Sequence, residues 1–236
     1  MAQRSAIVTG AAAGIGRATA ARLVADGWRV VGIDRTDVAS DGVELLVGDA
    51  GDASVLRQAL ERCDQALDAL VCSAGIPPSG PWESRDHWDE VIAIDLTAPY
   101  EALRVCMPAL VRAGGSAVLV GSIVGAAEGS LRSPAYAAAK AGLEGLARSM
   151  AVIGASDGVR VNVVAPGAIA TDFDERLLPA DHRTDVPLGR MGTVEEVAAV
   201  IGFLIGPEAS YVTGAVWTAD GGRVVLSTAD ASRLNR

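Results

Sequence analysis

Lysine is almost absent from this sequence of 236 residues. Of the twenty basic residues nineteen are arginine, and the one lysine is Lys140. Acidic residues number 29, so the formal net charge at pH 7 is −9. Proteins that bind nucleic acids or anionic membranes carry basic patches. The charge balance therefore argues against both of these partners.

Cysteines and long apolar runs are also scarce. Cys63, Cys72 and Cys106 are isolated, without the spacing of a metal site or the even number of a disulfide framework. No apolar stretch approaches the roughly 20 residues of a transmembrane helix, and the opening MAQRSAIVTG contains no apolar targeting segment. We expect a soluble cytoplasmic protein with no metal site and no membrane partner.

Aromatic residues make up only 4% of the chain, whereas half of it is apolar. Short β-branched runs alternate with helical patterns throughout. These runs are SAIVTG, WRVVGID, VELLVGD, LDALVCSAG, SAVLVGS, VRVNVVAPG and AVWTADGG. Apolar strands that alternate with helices indicate a parallel sheet covered on both faces. The sequence predicts one α/β domain over 1–236, a Rossmann-type doubly wound parallel sheet of about seven strands.

A glycine-rich loop follows the first predicted strand and opens the first predicted helix. Its residues are Gly10, Ala13, Gly14, Ile15 and Gly16. Glycines let a backbone approach a pyrophosphate closely, and the N–H groups of a helix N-terminus favour an anion. The position between strand and helix indicates dinucleotide binding.

Asp34 ends the second predicted strand, eighteen residues after Gly16. A carboxylate at this point accepts hydrogen bonds from a ribose 2′-hydroxyl and repels a 2′-phosphate. Arg35 argues for NADP instead, because a basic residue at this position could bind such a phosphate. Ala13 supplies no cation for one, so we predict NAD in preference to NADP.

The one lysine lies four residues after a tyrosine, in Tyr136-Ala-Ala-Ala-Lys140. Residues i and i+4 share one face of a helix, and an ammonium beside a phenol lowers the phenol pKa from about 10. At an effective dielectric near 20, a charge about 4 Å away is worth up to roughly 3 pKa units. Chance placement of the lysine at this spacing remains open. The pair is nevertheless typical of a general acid/base and a cation that lowers its pKa.

The motifs occur in an order that resembles the short-chain dehydrogenase/reductase family over nearly the whole chain. The loop Thr9 to Gly16 matches its glycine motif, and Ser122, Tyr136 and Lys140 match its Ser-Tyr-x-x-x-Lys active site. Other matching segments are Asp49-Ala50, Ser73-Ala74-Gly75, Pro166-Gly167 with Ile169 and Thr171, and Asp220-Gly221-Gly222. The resemblance implies that these residues, except the last triplet, help to bind the cofactor, as Tyr136 and Lys140 also do.

The resemblance also implies a division of labour in the active site. Tyr136 exchanges a proton with the substrate oxygen, Ser122 steadies that oxygen, and Lys140 lowers the tyrosine pKa and holds the nicotinamide ribose. In place of the family's usual asparagine stands Asp95, and Cys72-Ser73 replaces its usual Asn-Asn. We expect an ionised Asp95 to offset part of the effect of Lys140 on Tyr136 and to shift the pH–rate profile.

Substrate specificity is expected in a loop at about 168–193, where Phe173, Leu177 and Leu178 offer an apolar wall. Glu128 could meet a polar or cationic substrate group, although a solvated side chain is the simpler interpretation. The tail, 223–236, is expected to be partly ordered or to pack on a neighbouring subunit. This loop indicates a small or medium secondary alcohol or ketone as substrate.

Three functions remain open on the sequence alone. The first is NAD-linked hydride transfer with such an alcohol or ketone. The second is reduction of a 3-oxoacyl group on a carrier protein or coenzyme A with NADPH, against which Asp34 and the acidic charge argue. The third is a catalytically idle dinucleotide-binding scaffold. The resemblance alone implies a homo-oligomer, a dimer or tetramer.

Overall fold

The computed structural model describes residues 3–38, 40–78, 80–131, 133–171 and 186–226. Seven strands lie within these ranges: β1 (Ser5–Thr9), β2 (Arg29–Asp34), β3 (Val43–Val47), β4 (Ala69–Cys72), β5 (Ser116–Val120), β6 (Arg160–Pro166) and β7 (Val216–Ala219). They form one sheet in the order β3-β2-β1-β4-β5-β6-β7, and every neighbouring pair is parallel. The predicted fold class is confirmed.

Helices connect the strands. They are α1 (Gly14–Ala25), α2 (Ala53–Arg62), α3 (Arg85–Ile92), α4 (Ala98–Ala113), α5 (Ile123–Ala126), α6 (Pro134–Gly154) and α7 (Val194–Ile205). A π-helical turn (Ala93–Thr97) joins α3 to α4, and 3₁₀ turns cover Ala155–Asp157, Pro207–Ala209 and Arg223–Val225. The short α5 is interrupted, because Val124 and Gly125 have non-helical backbone angles.

The sheet is buried on both faces because successive side chains of each strand point to opposite sides. In β1, Ile7 belongs to the core cluster beneath α2, α4 and α6. Its neighbours Ala6 and Val8 belong to the cluster beneath α1 and α7. The sequences of the strands are therefore continuous apolar runs, without the alternation of apolar and polar residues that a half-exposed strand has.

The strand order reverses between β1 and β4, and loops on either side of this point diverge to leave a crevice at the carboxyl edge of the sheet. Five segments with candidate functional residues meet at this edge. They follow or end β1 (Gly10), β2 (Asp34), β4 (Ser73), β5 (Ser122) and β6 (Pro166). The topology thus brings together residues that are far apart in the sequence.

Two predicted segments lie partly outside the described residues. The loop residues 172–185, which include Phe173, Leu177 and Leu178, and the tail residues 227–236 are not among them. In the ranges that the structure does describe, no helix is both long and apolar enough to cross a membrane. No group of three or more His, Cys, Asp or Glu side chains in those ranges is placed to hold a metal ion. The three cysteines are buried and unbridged.

Candidate active site

A cavity of about 960 Å³ opens at the carboxyl edge of the sheet. Most of the residues that the sequence singled out line it: Gly10, Ala13, Gly14, Ile15, Asp34, Ser73, Gly75, Asp95, Ser122, Tyr136, Lys140, Pro166, Gly167, Ile169 and Thr171. Five others lie near this edge without belonging to the cavity wall: Gly16, Arg35, Asp49, Ala50 and Ala74. The glycine loop lies at one end and Tyr136 at the other.

The glycine loop is held against the segment that follows β4. The Oγ1 atom of Thr9 accepts hydrogen bonds from the backbone N–H groups of Ser73 (3.1 Å) and Ala74 (3.2 Å). A Cβ on Gly10 would lie 2.7 Å from the Ala74 nitrogen, and φ at Gly10 is +70°. A Cβ on Gly16 would collide with the carbonyl oxygen of Gly10. Only glycine fits either position, which explains why Gly16 shapes the loop without lining the cavity.

The first turn of α1 faces this cavity without a side-chain cap. Each of α2, α3, α6 and α7 begins with a side chain that accepts a hydrogen bond from its first turn. In contrast, α1 begins after Ala13, which has no such acceptor. Uncapped N–H groups at a helix N-terminus bind an anion. The residues present therefore fit the pyrophosphate of a dinucleotide.

Asp34 is held rigidly where β2 ends. Its Oδ2 accepts a hydrogen bond from the Ala12 N–H (3.0 Å) and its Oδ1 one from the Thr36 N–H (2.9 Å). Arg35 turns away and forms an ion pair with Asp49. The hydrogen bond from Arg35, together with the Gly51 N–H, lowers the pKa of Asp49. The carboxylate of Asp34 thus lines the cavity, whereas the charge of Arg35 is already paired.

Helix α6 presents Tyr136 and Lys140 in its first two turns. Ser133 caps the helix by accepting a hydrogen bond from the Tyr136 N–H at 3.2 Å, and Pro134 occupies the first helical position. A side-chain cap followed by proline fixes where a helix begins. Both side chains are buried, with 7% of Tyr136 and 6% of Lys140 exposed.

The Lys140 ammonium lies at the centre of the reactive end. It donates a hydrogen bond to the Val120 carbonyl oxygen at 3.2 Å and lies 5.3 Å from the centre of the Tyr136 ring. The nearest anion is Asp95, whose Oδ1 is 2.9 Å from the Lys140 nitrogen. Burial alone disfavours the ammonium, but the charges of Asp95 and Tyr136 outweigh it, so the pKa of Lys140 lies above its ordinary value.

The π-helical turn carries Asp95 into this site. The carboxylate is fully buried, and its Oδ2 accepts a hydrogen bond from the Ile76 N–H at 3.2 Å. Its Oδ1 has no partner in hydrogen-bond geometry among the described residues, so its contact with Lys140 is held by charge. A Cβ on Gly75 would lie 2.6 Å from this oxygen. The glycine of the segment after β4 therefore makes room for the carboxylate.

Ser122 stands at the start of α5, in a turn that packs closely on α6. Its Oγ accepts a hydrogen bond from the Val124 N–H at 3.1 Å. Gly125 has φ +91°, and a Cβ there would collide with the carbonyl oxygen of Ala137 and lie 2.9 Å from the nitrogen of Ala141. This close approach fixes the Ser122 turn relative to the helix that carries Tyr136.

Sequence reasoning missed two cationic residues of the cavity wall, Arg17 and Arg223. Arg17 lies in the first turns of α1, directly after the glycine loop. Arg223 lies in the segment assigned to the tail, and its Nε donates a hydrogen bond to the Glu128 Oε1 at 3.0 Å. The position of Arg17 directly after the glycine loop could have revealed it, because a cation there lies close to the expected pyrophosphate. No local pattern marks Arg223, because its partner is 95 residues away.

Comparison with known proteins agrees with this geometry. Residues 10–223 match a family described as enoyl-(acyl carrier protein) reductase. The chain is 40% identical to cis-4-hydroxycyclohexanecarboxylate dehydrogenase of Sinomonas cyclohexanicum, over 94% of this chain and 96% of that one. It is 36% identical to the 3-oxoacyl-[acyl-carrier-protein] reductase FabG of Salmonella typhimurium, over 94% and 97%.

A solved structure is similarly close. An oxidoreductase of the short-chain dehydrogenase/reductase family from Burkholderia thailandensis superposes with a TM-score of 0.88 at 32% identity, covering 100% of this chain and 98% of that one. Sequence, topology and cavity therefore lead to one conclusion. The chain belongs to the short-chain dehydrogenase/reductase family of NAD(P)-dependent oxidoreductases, which act on CH–OH and carbonyl groups.

Proposed function

We propose that the protein transfers a hydride between NAD(H) and a small or medium secondary alcohol or ketone, with Tyr136 as the general acid/base. One observation carries this proposal: Tyr136, Ser122 and the buried Lys140 line the same cavity as the glycine loop and Asp34. A hydrogen-transfer site and a dinucleotide site thus share one space, which suits direct transfer between their ligands.

The nicotinamide cofactor, when bound, accepts the hydride from an alcohol or supplies it to a ketone. During oxidation, Tyr136 as phenolate takes the proton of the substrate hydroxyl, and during reduction its phenol returns that proton. Ser122 is placed to hydrogen-bond the substrate oxygen through the same Oγ that caps its turn. Burial of the site strengthens these interactions because water does not screen them.

Lys140 favours the phenolate of Tyr136 through its positive charge. It also lies on the cavity wall, where its remaining N–H donors would be available to hold the ribose of a bound nicotinamide nucleotide. We propose that Asp95 is a positioning residue that acts through Lys140. Its carboxylate keeps the ammonium charged and in place, and it also opposes the field that the ammonium exerts on Tyr136.

The cofactor is held at the other end by the glycine loop and Asp34. Asp34 is supported as the acceptor for a ribose 2′-hydroxyl because two backbone N–H groups fix its carboxylate on the cavity wall. The ion pair with Asp49 occupies Arg35, which supports NAD over NADP. The remaining wall residues near the nicotinamide end are proposed to orient that ring: Ser73, Gly75, Pro166, Gly167, Ile169 and Thr171.

The direct test measures reduction of NAD⁺ and NADP⁺ with a panel of secondary alcohols, with Tyr136→Phe as the control. Cyclic hydroxy acids enter the panel because of the relative from Sinomonas, together with neutral cyclic alcohols, sugars and hydroxyacyl esters. We expect turnover with NAD⁺ that the variant loses by at least about 100-fold. Undiminished turnover in Tyr136→Phe would contradict the assigned acid/base.

A second candidate is ketoreduction of a 3-oxoacyl thioester with NADPH, which the similarity to the Salmonella reductase favours. The same assay in the direction of reduction, with an acetoacetyl thioester and either NADH or NADPH, separates the two candidate functions. Faster reduction of the thioester with NADPH than of any free ketone with NADH would replace the first proposal. Cofactor binding without turnover of any substrate would instead favour an idle scaffold.

A further inference from the structure

One cation of the cavity wall takes no part in the chemistry proposed above. Arg223 follows Gly222 in a tight turn after β7, and the Asp220 carboxylate accepts hydrogen bonds from the N–H groups of Gly222 (2.9 Å) and Val224 (2.8 Å). A Cβ on Gly167 would lie 2.8 Å from the Asp220 Cα. The turn is therefore fixed against the end of β6 and holds Arg223 at the reactive end of the cavity.

Glu128, in the turn after β5, holds the Arg223 side chain through an ion pair. Its backbone closes the turn that begins at Ser122, because its N–H bonds to the Ile123 carbonyl oxygen (2.9 Å) and its own carbonyl accepts from Gly125 (2.7 Å). The side chains of Arg223 and Glu128 are 22% and 30% exposed. The ion pair thus joins the Ser122 turn to the turn after β7, and both of its members line the cavity.

This pairing leaves most of the guanidinium available. An arginine has five N–H donors in a planar fork, and Glu128 accepts only from Nε. The two terminal nitrogens have no acceptor among the residues that the structure describes. A planar pair of terminal N–H groups matches the two oxygens of a carboxylate.

The rest of the wall at this end is partly apolar, with Pro78, Ile123 and Val124 facing the same cavity. We propose that Arg223 binds the carboxylate of the substrate, so that the preferred substrate is a compact hydroxy acid or keto acid with an apolar body. Glu128 orients Arg223 and weakens its pull on the anion. This inference rests on the proposed function, since it names the substrate class of that same site.

A polyhydroxylated substrate would use the pair differently, through hydroxyl groups that donate to Glu128. The two readings predict opposite effects of Glu128→Gln. The amide keeps an acceptor for the Arg223 Nε and removes the negative charge. Binding of a carboxylate should therefore strengthen if Arg223 is the receptor, whereas binding through Glu128 should weaken.

The experiment compares 4-hydroxycyclohexanecarboxylate with its neutral carboxamide in wild type, Arg223→Gln and Glu128→Gln. The readouts are the ratio of kcat/KM values for the two substrates and the Kd values of unreactive cyclohexanecarboxylate and cyclohexanecarboxamide in the presence of NAD⁺. We expect wild type to prefer the carboxylate about ten- to hundred-fold. Arg223→Gln should bring this ratio close to one, and Glu128→Gln should raise it.

Controls separate recognition from a structural role. If Arg223 only tethered two turns, Arg223→Gln would lower turnover of both substrates and leave their ratio unchanged, which would overturn the inference. Arg104→Gln removes an equivalent charge from an ion pair on α4 outside the cavity and should leave the ratio unchanged. Absence of a carboxylate preference in wild type would also overturn it. Failure of the proposed function has a different signature: no hydride transfer, while the Kd preference remains.

Discussion

Asp95 places a buried negative charge 2.9 Å from the Lys140 ammonium, and two opposing effects follow. The carboxylate stabilises the charge of a buried lysine, which burial would otherwise disfavour. It also cancels part of the positive field at Tyr136. In the proposed mechanism Tyr136 exchanges the proton with the substrate. The effect of Asp95 on the reaction rate therefore depends on how it changes the protonation of that tyrosine.

We predict that Asp95→Asn lowers the apparent pKa of the acidic limb of kcat/KM by about one unit, because Lys140 then acts on Tyr136 without opposition. In the proposed mechanism the Tyr136 phenolate is the base in oxidation, so activity of the variant would appear at lower pH than in wild type. pH–rate profiles of alcohol oxidation measure this directly. Asp64→Asn is the matched control, since Asp64 is an exposed carboxylate in an ion pair with Arg29. Coincident profiles for wild type and Asp95→Asn would refute the role of Asp95.

Asp34 decides the cofactor in this interpretation. Replacing it with alanine removes a charge-assisted hydrogen bond to the 2′-hydroxyl, worth about 1.5–3 kcal/mol, and removes the repulsion of a 2′-phosphate. We expect the ratio of kcat/KM for NAD⁺ to that for NADP⁺ to fall by at least about ten-fold in Asp34→Ala. Arg35→Ala tests the competing interpretation. If Arg35→Ala and not Asp34→Ala changed the ratio, Arg35 would be the determinant.

Local sequence predicted the residues whose roles depend on their neighbours in the chain. The glycine loop is set by a strand and a helix that adjoin it, and the pairing of Tyr136 with Lys140 follows from helical spacing. Contacts across the fold could not be predicted in this way. Arg223 and Glu128 are in contact although 95 residues separate them in the sequence. They meet because the segments that follow β7 and β5 lie at the same edge of the sheet. Nothing within either segment indicates the other.

Among the elements, the interrupted helix α5 depends on a backbone conformation that favours glycine. It brings the Ser122 turn into direct contact with α6, and Gly125 makes this possible at φ +91°. The sequence gives little sign of this, since VGAAEG resembles an ordinary loop. The closeness of the two elements became evident only from the fold.

We predict that Gly125→Ala lowers Tm by several degrees and reduces kcat. Its Cβ would collide with α6, and a non-glycine residue at this φ costs about 1–3 kcal/mol, with about 2–4 °C lost per kcal/mol in a domain of this size. Thermal unfolding and steady-state kinetics measure both effects. Gly145→Ala, on an open face of α6, should instead leave Tm unchanged or raise it. Equal Tm values for both variants would show that the α5 turn can relax.

At the scale of the whole molecule, β7 is an edge strand of the sheet, and exposed aromatic side chains lie on it and on α7. Trp217 on β7 and Phe203 on α7 are 38% and 36% exposed, and their rings pack 5.3 Å apart. Tyr211 nearby is fully exposed. Exposed aromatic groups beside an edge strand mark a surface for association. We infer that this edge pairs with a second copy of the chain.

Light scattering after size-exclusion chromatography is expected to give two or four times the 24.0 kDa mass of one chain. Trp217→Asp should shift the protein towards smaller species, because it places a charge in a desolvated contact. Trp82→Asp makes the same change at a tryptophan that is 64% exposed and distant from β7 in sequence, and should leave the mass unchanged. A wild-type mass of 24.0 kDa would contradict the inference.

The near-absence of lysine has a practical consequence for the folded molecule. Lys140 carries the one side-chain amine of the chain, and it is 6% exposed and ion-paired in the candidate active site. A reagent that acylates side-chain amines can therefore modify the chain only at Lys140. The rate of that labelling measures how often the candidate site opens to solvent. The protein therefore contains a chemical reporter of this site without any substitution.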